Sequence, residues 1–409
     1  MKFLHTIPSV DPASGGLVEG MRQLCDIMEA AGHACEVATL DAPSLANQYG
    51  IPGKTTAWGP GRGAYGYTPR AVPWIRAHSS RFDAVIVHGI WQHNAAATYS
   101  GLRGTGTPYA VFCHGMLDPY FKRQFPLKHL KKTVYWHALL SKAMHGAAAV
   151  LFTCEEEMLL ARQSFRPYRV NEVIVPLGTM GPPGDAQQAA EEFLTRWPEL
   201  RGKRLALFLG RIHPKKAVDV LIEAFAGTLA GDSSWRLVIA GPDRVGWERE
   251  LKGLAARLGM RDRIAWTGML TGDLKWGAYA ASEVFVLPSH QENFGFVFAE
   301  ALSCGLPVLL SNKVNIWREI EADRAGMVAD DTLGGTQASL RRWQELGAAE
   351  MAAFRLRARK CFDERFNFQA TSGRALQIFE GLARLNPRCA ASHMGSEEIK
   401  ERRAGASGF

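Results

Sequence analysis

Two glutamates eight residues apart, Glu292 and Glu300, lie where the apolar run Val284-Phe285-Val286-Leu287 passes through a polar loop to Asn293-Phe294-Gly295 and on to Cys304-Gly305. Paired carboxylates act on one glycosidic bond when they are about 5–10 Å apart. A helical interval rising about 1.5 Å per residue would set these two roughly 12 Å apart. Two equivalent acids are therefore disfavoured. A division of labour fits better: Glu292 in the loop faces a reacting group, while Glu300, two turns along, accepts hydrogen bonds from a ribose. The amides of Asn293, Phe294 and Gly295 then open the helix toward phosphate or sugar oxygens. Upstream, Gly210-Arg211-Ile212-His213-Pro214-Lys215-Lys216 leaves another apolar run and precedes a helix. Arg211 and Lys216 thus converge near a helix N-terminus suited to a diphosphate, with a solvated basic loop as the plainer alternative. Gly241-Pro242 and Gly268-Met269-Leu270 end two more runs and can line a nucleotide pocket.

The first half offers Ser14-Gly15-Gly16 between a strand and a helix, where an anion can approach the backbone or where an ordinary turn suffices. His114 ends the run Val111-Phe112-Cys113 before a glycine, and His88 ends another; His114 is favoured as functional, His88 as structural. From Pro119 to Cys154 there is no acid, while Lys128, Lys131 and Lys132 accompany Phe121, Tyr135 and Trp136. That mixture suits an anionic membrane surface or a diphosphate lipid, or else a solvated helix face that packs its aromatics inward.

The elements that position these residues alternate. Strands are predicted at Lys2 to Ile7, Glu36 to Leu40, Ala84 to His88, Tyr109 to Cys113 and Ala148 to Thr153, with a helix over Leu17 to Ala30. A second series follows: strands at Arg204 to Leu209, Arg236 to Ala240, Ile264 to Thr267 and Val284 to Leu287, with helices over Ala217 to Leu229, Gly246 to Leu258 and Leu274 to Ala281. Alternation of this kind predicts two doubly wound parallel α/β sheets, Rossmann-like, with ligands beyond the carboxyl ends of the strands. The Gly/Pro-rich stretch from Gly50 to Thr68 reads as a long loop, and Thr179 to Gln188 as a linker. The expected organisation is a domain over 1–178, a linker over 179–203, a second domain over 204–368, a helix over 369–386 and a disordered polar tail over 387–409. Within that tail, Ser392-His393-Met394-Gly395-Ser396 resembles a cloning scar.

Other readings fall away. Gly61-Arg62-Gly63-Ala64-Tyr65-Gly66 matches a dinucleotide fingerprint literally but is bracketed by Pro60 and Pro69, and Gly53-Lys54-Thr55 lacks the upstream glycine of a P-loop. The 409 residues carry a net charge of +8, which accords with an anionic ligand, but no nucleic-acid recognition motif accompanies it. Seven scattered cysteines without metal spacing read as reduced, buried thiols, and no metal is expected. No leader or membrane span is read, so a cytoplasmic or peripheral protein is expected.

Taken together, the Ser-Gly-Gly turn, Cys113-His114-Gly115-Met116-Leu117-Asp118, Gly210-Arg211 with Lys216, Ala240-Gly241-Pro242-Asp243 and Glu292 with Glu300, followed by Gly305-Leu306-Pro307-Val308, resemble the retaining nucleotide-sugar glycosyltransferases of family 4. His290 and Asn293 depart from that family's usual loop. The resemblance implies the GT-B fold, in which two Rossmann-like domains face across a cleft and helix 369–386 crosses back to the first domain. It implies that Gly15, Gly16 and the amides at Asn293, Phe294 and Gly295 hold the donor diphosphate and sugar, with Arg211 and Lys216 neutralising the leaving group. Glu300 would bind the ribose; Gly241, Pro242, Met269 and Leu270 the base; Glu292 the hexose hydroxyls; and His114 the sugar or acceptor. His88, Lys128, Lys131, Lys132 and Trp136 fall on the acceptor or membrane side. The implied activity moves a hexose from a UDP- or GDP-sugar to a lipid-linked or polysaccharide acceptor in envelope, capsule or exopolysaccharide synthesis, without cofactor or metal. A nucleotide-sugar epimerase of the same architecture and a non-catalytic carbohydrate- or lipid-binding protein are the alternatives.

Overall fold

A computed structural model describes residues 1–51 and 53–389; the cloning-scar-like stretch and the rest of the tail beyond Cys389 lie outside the described residues. Among the described residues, thirteen strands form two parallel sheets. The first contains β1 (Lys2–Ile7), β2 (Ala34–Thr39), β3 (Thr55–Ala57), β4 (Ala84–His88), β5 (Tyr109–Phe112), β6 (Ala149–Phe152) and β7 (Glu172–Ile174) in the order β3-β2-β1-β4-β5-β6-β7. The second contains β8 (Arg204–Leu209), β9 (Trp235–Ala240), β10 (Ile264–Gly268), β11 (Val284–Leu287), β12 (Val308–Ser311) and β13 (Gly326–Ala329) in the order β10-β9-β8-β11-β12-β13. Each sheet is a doubly wound α/β sheet whose order reverses beside its first strand, at β1/β4 and at β8/β11. Such switch points are where open parallel sheets bind ligands.

The sequence dictates this burial. All five residues of Ala84-Val85-Ile86-Val87-His88 are buried, as are all four of Val284-Phe285-Val286-Leu287, because a central parallel strand is covered on both faces. Helix Gly16–Ala30 buries Val18, Met21, Leu24, Cys25 and Met28, a stripe at helical spacing. Full burial of each larger apolar side chain contributes about 1.5–3 kcal/mol. Leu4, Val85, Val87, Val111, Trp136 and Phe152 belong to the core of the first unit. Leu207, Phe208, Ile222, Ile239, Phe285 and Leu302 are buried in the second.

The chain divides into two compact units, Met1–Pro176 with Ser372–Phe409 and Leu177–Thr371. The boundary at the C-terminal side falls inside helix Phe368–Arg384. Three expectations need correction. The Gly50 to Thr68 stretch is not simply loop, for Thr55–Ala57 adds an edge strand, with Val37, Ala38 and Thr39 as its partners. The 179–203 linker contains helix Ala186–Arg196, N-capped by Asp185, which buries Ala189 and Phe193 and packs on helix Gly272–Ala281. At the start of the tail, Pro387 to Cys389 are helical, and Arg388 donates to the carbonyls of Ser80 and Phe82 and to Thr107.

Candidate active site

In the second unit, the loops leaving neighbouring strands are tied to one another. Gly210 N–H donates to Ala240 O at 2.9 Å, Ile212 N–H to Pro242 O at 3.0 Å, and Gly241 N–H to Gly268 O at 2.8 Å. A Cβ at Gly241, whose φ is +147°, would overlap the Gly210 carbonyl oxygen, so only glycine allows the β8 and β9 loops to touch. After β8 a short 3₁₀ turn, Pro214–Lys216, is capped by His213, whose Nδ1 accepts from Lys215 N–H at 3.1 Å. Ala217 then takes a left-handed φ of 52° before helix Val218–Thr228.

The β11 loop closes on this turn. His290 N–H donates to Lys215 O at 2.8 Å, joining the loops of the two strands at the switch point. Glu292 is fixed on its other side: its N–H donates to Lys313 O at 3.0 Å, and its carbonyl accepts from Asn315 N–H at 3.1 Å. Asn315 also donates to Asn293 Oδ1 at 3.0 Å, and His290 Nδ1 pairs with Asp331 at 2.9 Å. Gly295 has a φ of +70°, and a Cβ there would lie 2.7 Å from Phe298 Cδ2 and 3.0 Å from Glu292 Cγ. The missing side chain leaves the space that Glu292 occupies.

These constraints bring Glu292 onto Lys216, with ammonium and carboxylate in direct contact. Both side chains are mostly buried, 15% and 19% exposed. Burial pushes the Lys216 ammonium down to about 7, with the cations Lys215 and Arg211 adding to it. The carboxylate of Glu292 is the opposite charge that favours its protonated form. Arg211 is exposed on the same loop.

Helix Phe296–Ser303 starts only after Gly295. Half of the Glu292-to-Glu300 interval is therefore loop, and the spacing deduced from a continuous helix does not apply. Glu300 lies on that helix with Lys275 Nζ at 2.9 Å from Oε1, and the Tyr279 hydroxyl donates to Oε2 at 3.0 Å. Ionised carboxylates have about four lone-pair sites, so capacity for a further donor remains. Pro242 and Leu270 flank the β9 and β10 loop ends, with Leu270 buried and Met269 exposed. Asp243 accepts from the amides of Glu248, Val245 and Gly246, which holds its carboxyl below the usual range and ties the loop to the start of helix Glu248–Arg257.

In the first unit, Gly15 enters helix Gly16–Ala30 with a φ of 77°. The loops after β4 and β5 meet at the first turn of helix Gly16–Ala30, since a Cβ at Gly89 would lie 3.1 Å from Met116 Cε and 3.5 Å from Leu17 Cδ1. His114 has a left-handed φ of 49° and stacks on Phe112 with ring centroids 4.4 Å apart. Burial pushes its imidazole down to about 3, so it is neutral at pH 7. Its Nε2 shares a hydrogen bond with His88 Nδ1 at 3.0 Å, and His88 Nε2 shares another with His5 Nδ1 at 3.0 Å. Glu157, which the sequence pattern does not single out, is buried and accepts from Gly115 N–H at 2.5 Å and from Thr153 N–H and Oγ1 at 2.7 Å. It anchors the His114-Gly115 turn. The local signal was a run of glutamates, Glu155 to Glu157, opening a helix just after β6.

Of the residues assigned to the acceptor or membrane side, three are wholly or partly buried. His88 is fully buried and touches other histidines. Trp136 is also fully buried, donating from Nε1 to Pro167 O at 3.1 Å. Lys132 sits 4.1 Å above the Trp91 ring, and burial lowers its ammonium to about 8. Lys128 and Lys131 stay exposed on helix Pro126–Tyr135, beside Leu127, Leu130 and Val134 at 84%, 62% and 65% exposure. No described helix is long and apolar enough to cross a membrane.

Comparison with known proteins gives this arrangement its relatives. The family described as glycosyl transferase 4-like domain matches residues 15–178, and glycosyl transferases group 1 matches residues 190–340. A curated relative, D-inositol 3-phosphate glycosyltransferase of Rhodococcus opacus, is 34% identical over 185 residues, 44% of this chain and only 40% of the relative. The chain therefore spans about two fifths of the length of that relative. The fold resembles sucrose-phosphate synthase from Thermosynechococcus elongatus, with a TM-score of 0.72 at 18% identity over 93% of this chain and 99% of that one. It also resembles Anabaena Alr3699/HepE, solved in complex with UDP and glucose, with a TM-score of 0.73 at 16% identity over 93% and 100%. With both halves matched by glycosyltransferase families and two Rossmann-like sheets that align with these structures, the chain belongs to the family 4 type of GT-B glycosyltransferases.

Proposed function

We propose that the chain is a retaining hexosyltransferase that takes a hexose from a UDP- or GDP-sugar and passes it to a lipid-linked or polysaccharide acceptor in envelope, capsule or exopolysaccharide synthesis. The observation that carries this reading is the largely buried Lys216–Glu292 pair at the β8/β11 switch point, with Arg211 on the same loop. An incoming diphosphate takes over Lys216, freeing the Glu292 carboxylate for hexose hydroxyls. Lys216 and Arg211 meet the charge that develops as the bond between the anomeric carbon and the phosphate oxygen breaks. The acceptor oxygen bonds to the anomeric carbon from the same face, and its proton passes to a donor phosphate oxygen, so neither a protein nucleophile nor a metal takes part. Glu300 is assigned to the ribose, the Gly241, Pro242, Met269 and Leu270 loops to the base, and the first unit, with His114, to the acceptor side. A cytoplasmic setting follows from the nucleotide-sugar donor.

The direct test is thermal unfolding against a panel of UDP- and GDP-sugars, since a ligand that binds only the folded chain raises its stability, followed by nucleotide release with acceptors. Release of a free, altered sugar without acceptor would point to the epimerase instead, and binding without turnover to a non-catalytic protein.

Nucleoside diphosphate affinity should also depend on pH. The protonated ammonium is the form that holds phosphate, and with the Lys216 value lowered to about 7 the charged form prevails below that pH and declines above it. UDP affinity by calorimetry is expected to weaken by up to about tenfold per pH unit above 7. Constant affinity from about pH 6 to 9 would count against Lys216 as the phosphate cation.

The exposed Leu127, Leu130 and Val134 lie on one stripe of helix Pro126–Tyr135 beside Lys128 and Lys131, which supports peripheral contact with an anionic membrane. Leu127→Glu with Leu130→Glu should lower co-sedimentation with phosphatidylglycerol vesicles by about tenfold or more, from the lost burial of two leucines. Nucleotide release to a soluble acceptor should persist. Unchanged sedimentation would remove the membrane from the reading.

A further inference from the structure

Helix Gly16–Ala30 carries Met21, Cys25 and Met28 on its buried stripe, above β1 and β2, which contribute His5 and Cys35. A ring nitrogen of His5 and the Sγ atoms of Cys25 and Cys35 lie within 4.8 Å of one another, and all three residues are at most 1% exposed. Two thioethers complete the surroundings, with Met21 Sδ 3.6 Å from Cys25 Sγ and Met28 Sδ 3.5 Å from Cys35 Sγ. A buried cysteine alone is a small hydrophobe. The histidine changes that balance: its Nδ1 is engaged with His88, while its buried Nε2 has no nitrogen or oxygen partner and interacts with the Cys35 thiol. Buried polar atoms are nearly always satisfied, and an imidazole nitrogen beside two thiols is a ligand set.

We propose that His5, Cys25 and Cys35 form a buried binding site for a soft monovalent ion, copper(I). Structural zinc sites are almost always closed by four nitrogen, thiolate or carboxylate ligands, and only three such ligands are grouped here among the described residues. Thiolate and thioether sulfur select copper(I), and Met21 and Met28 supply thioethers at the edge of the group. Each thiol that ligates the ion does so as thiolate and gives its proton to solvent, so copper(I) with both thiolates and the neutral imidazole carries one net negative charge. This site lies in the core of the first unit, outside the Lys216–Glu292 site, and does not rest on the activity proposed above. Its occupancy would reach His114. With Nε2 on the ion, His5 carries its proton on Nδ1 and donates to His88 Nε2; His88 then donates from Nδ1 to His114 Nε2. The ion thus fixes the direction of the whole histidine chain.

The test uses the full chain, reduced and metal-free under anaerobic conditions, titrated with copper(I) held by the chromophoric chelator bicinchoninate. The chain should withdraw one copper per molecule, and Cys25→Ala with Cys35→Ala should weaken this by about 100-fold or more. Cys304→Ala with Cys389→Ala should leave it intact, since those two are the partly exposed thiols among the described residues. X-ray absorption of the loaded wild type, which needs no substitution, should show mixed sulfur and nitrogen coordination. Copper left on the chelator by the wild type would overturn the proposal. So would undiminished binding by a folded Cys25→Ala/Cys35→Ala chain, or a coordination shell without sulfur.

Discussion

Replacing Lys216 by methionine is expected to cut nucleotide release from the donor by about 10²–10³-fold, the usual effect of removing one preorganised partner of a developing anion. Glu292→Gln should cost a comparable factor, because the carboxylate proposed to face the hexose also contacts the ammonium. Stability separates the two roles. Each single substitution leaves one largely buried charge without its partner and should lower stability by about 1–3 kcal/mol, less than a fully buried pair because both side chains keep some exposure. The Lys216→Met/Glu292→Gln chain carries neither charge, so its unfolding temperature should recover toward wild type while turnover stays low. Recovery of stability without activity would identify a functional pair. Turnover near the wild-type rate in either single variant would show that the pair is a packing feature only.

The second large effect is structural and is felt at the same loops. Gly241→Ala sets a Cβ against the carbonyl oxygen of Gly210, with backbone on both sides, at a φ of +147° that alanine rarely adopts. No flexible side chain can yield. The expected result is a loss of about 3–5 kcal/mol, among the largest single-residue effects, read as a lower denaturation midpoint. The β8 and β9 loops separate, and UDP affinity falls with them, because the Arg211 to Lys216 turn loses its support. A Gly184→Ala chain is the comparison, since a Cβ there meets nothing within 4 Å; it should behave as wild type. A Gly241→Ala chain of normal stability would mean that the loops can part without cost.

The elements most legible in the sequence were those with strong apolar periodicity. Ala84–His88, Arg204–Leu209 and Val284–Leu287 lie where their all-apolar or nearly apolar runs put them, and Lys2–Ile7 where its Phe3, Leu4 and Ile7 do, because central parallel strands need burial on both faces. Thr55–Ala57 was hidden because a three-residue edge strand has too little periodicity to stand out among glycines and prolines. Helix Ala186–Arg196 was hidden by the prolines before it, although Asp185, Ala189 and Phe193 already carried a cap and a buried face. At the site, the residue types at loop ends were readable, but their pairings were not. Lys216 meets Glu292 only because β8 and β11 are neighbours in the sheet. In the same way His5, Cys25 and Cys35 have no metal-like spacing and meet only through the packing of β1, β2 and the helix between them.

The division of the chain has a consequence for its synthesis. The second unit is one uninterrupted stretch, Leu177–Thr371, whereas the first is split around it. Asn386 donates to the carbonyls of Phe82 and Asp83, and Arg388 to those of Ser80 and Phe82, while Glu380 pairs with His33. Domains generally fold as units, and the N-terminal one generally folds first as it leaves the ribosome. Here residues 372–389, made after the second unit, belong to the first, so Leu177–Thr371 can be completed while the unit begun earlier still waits for them.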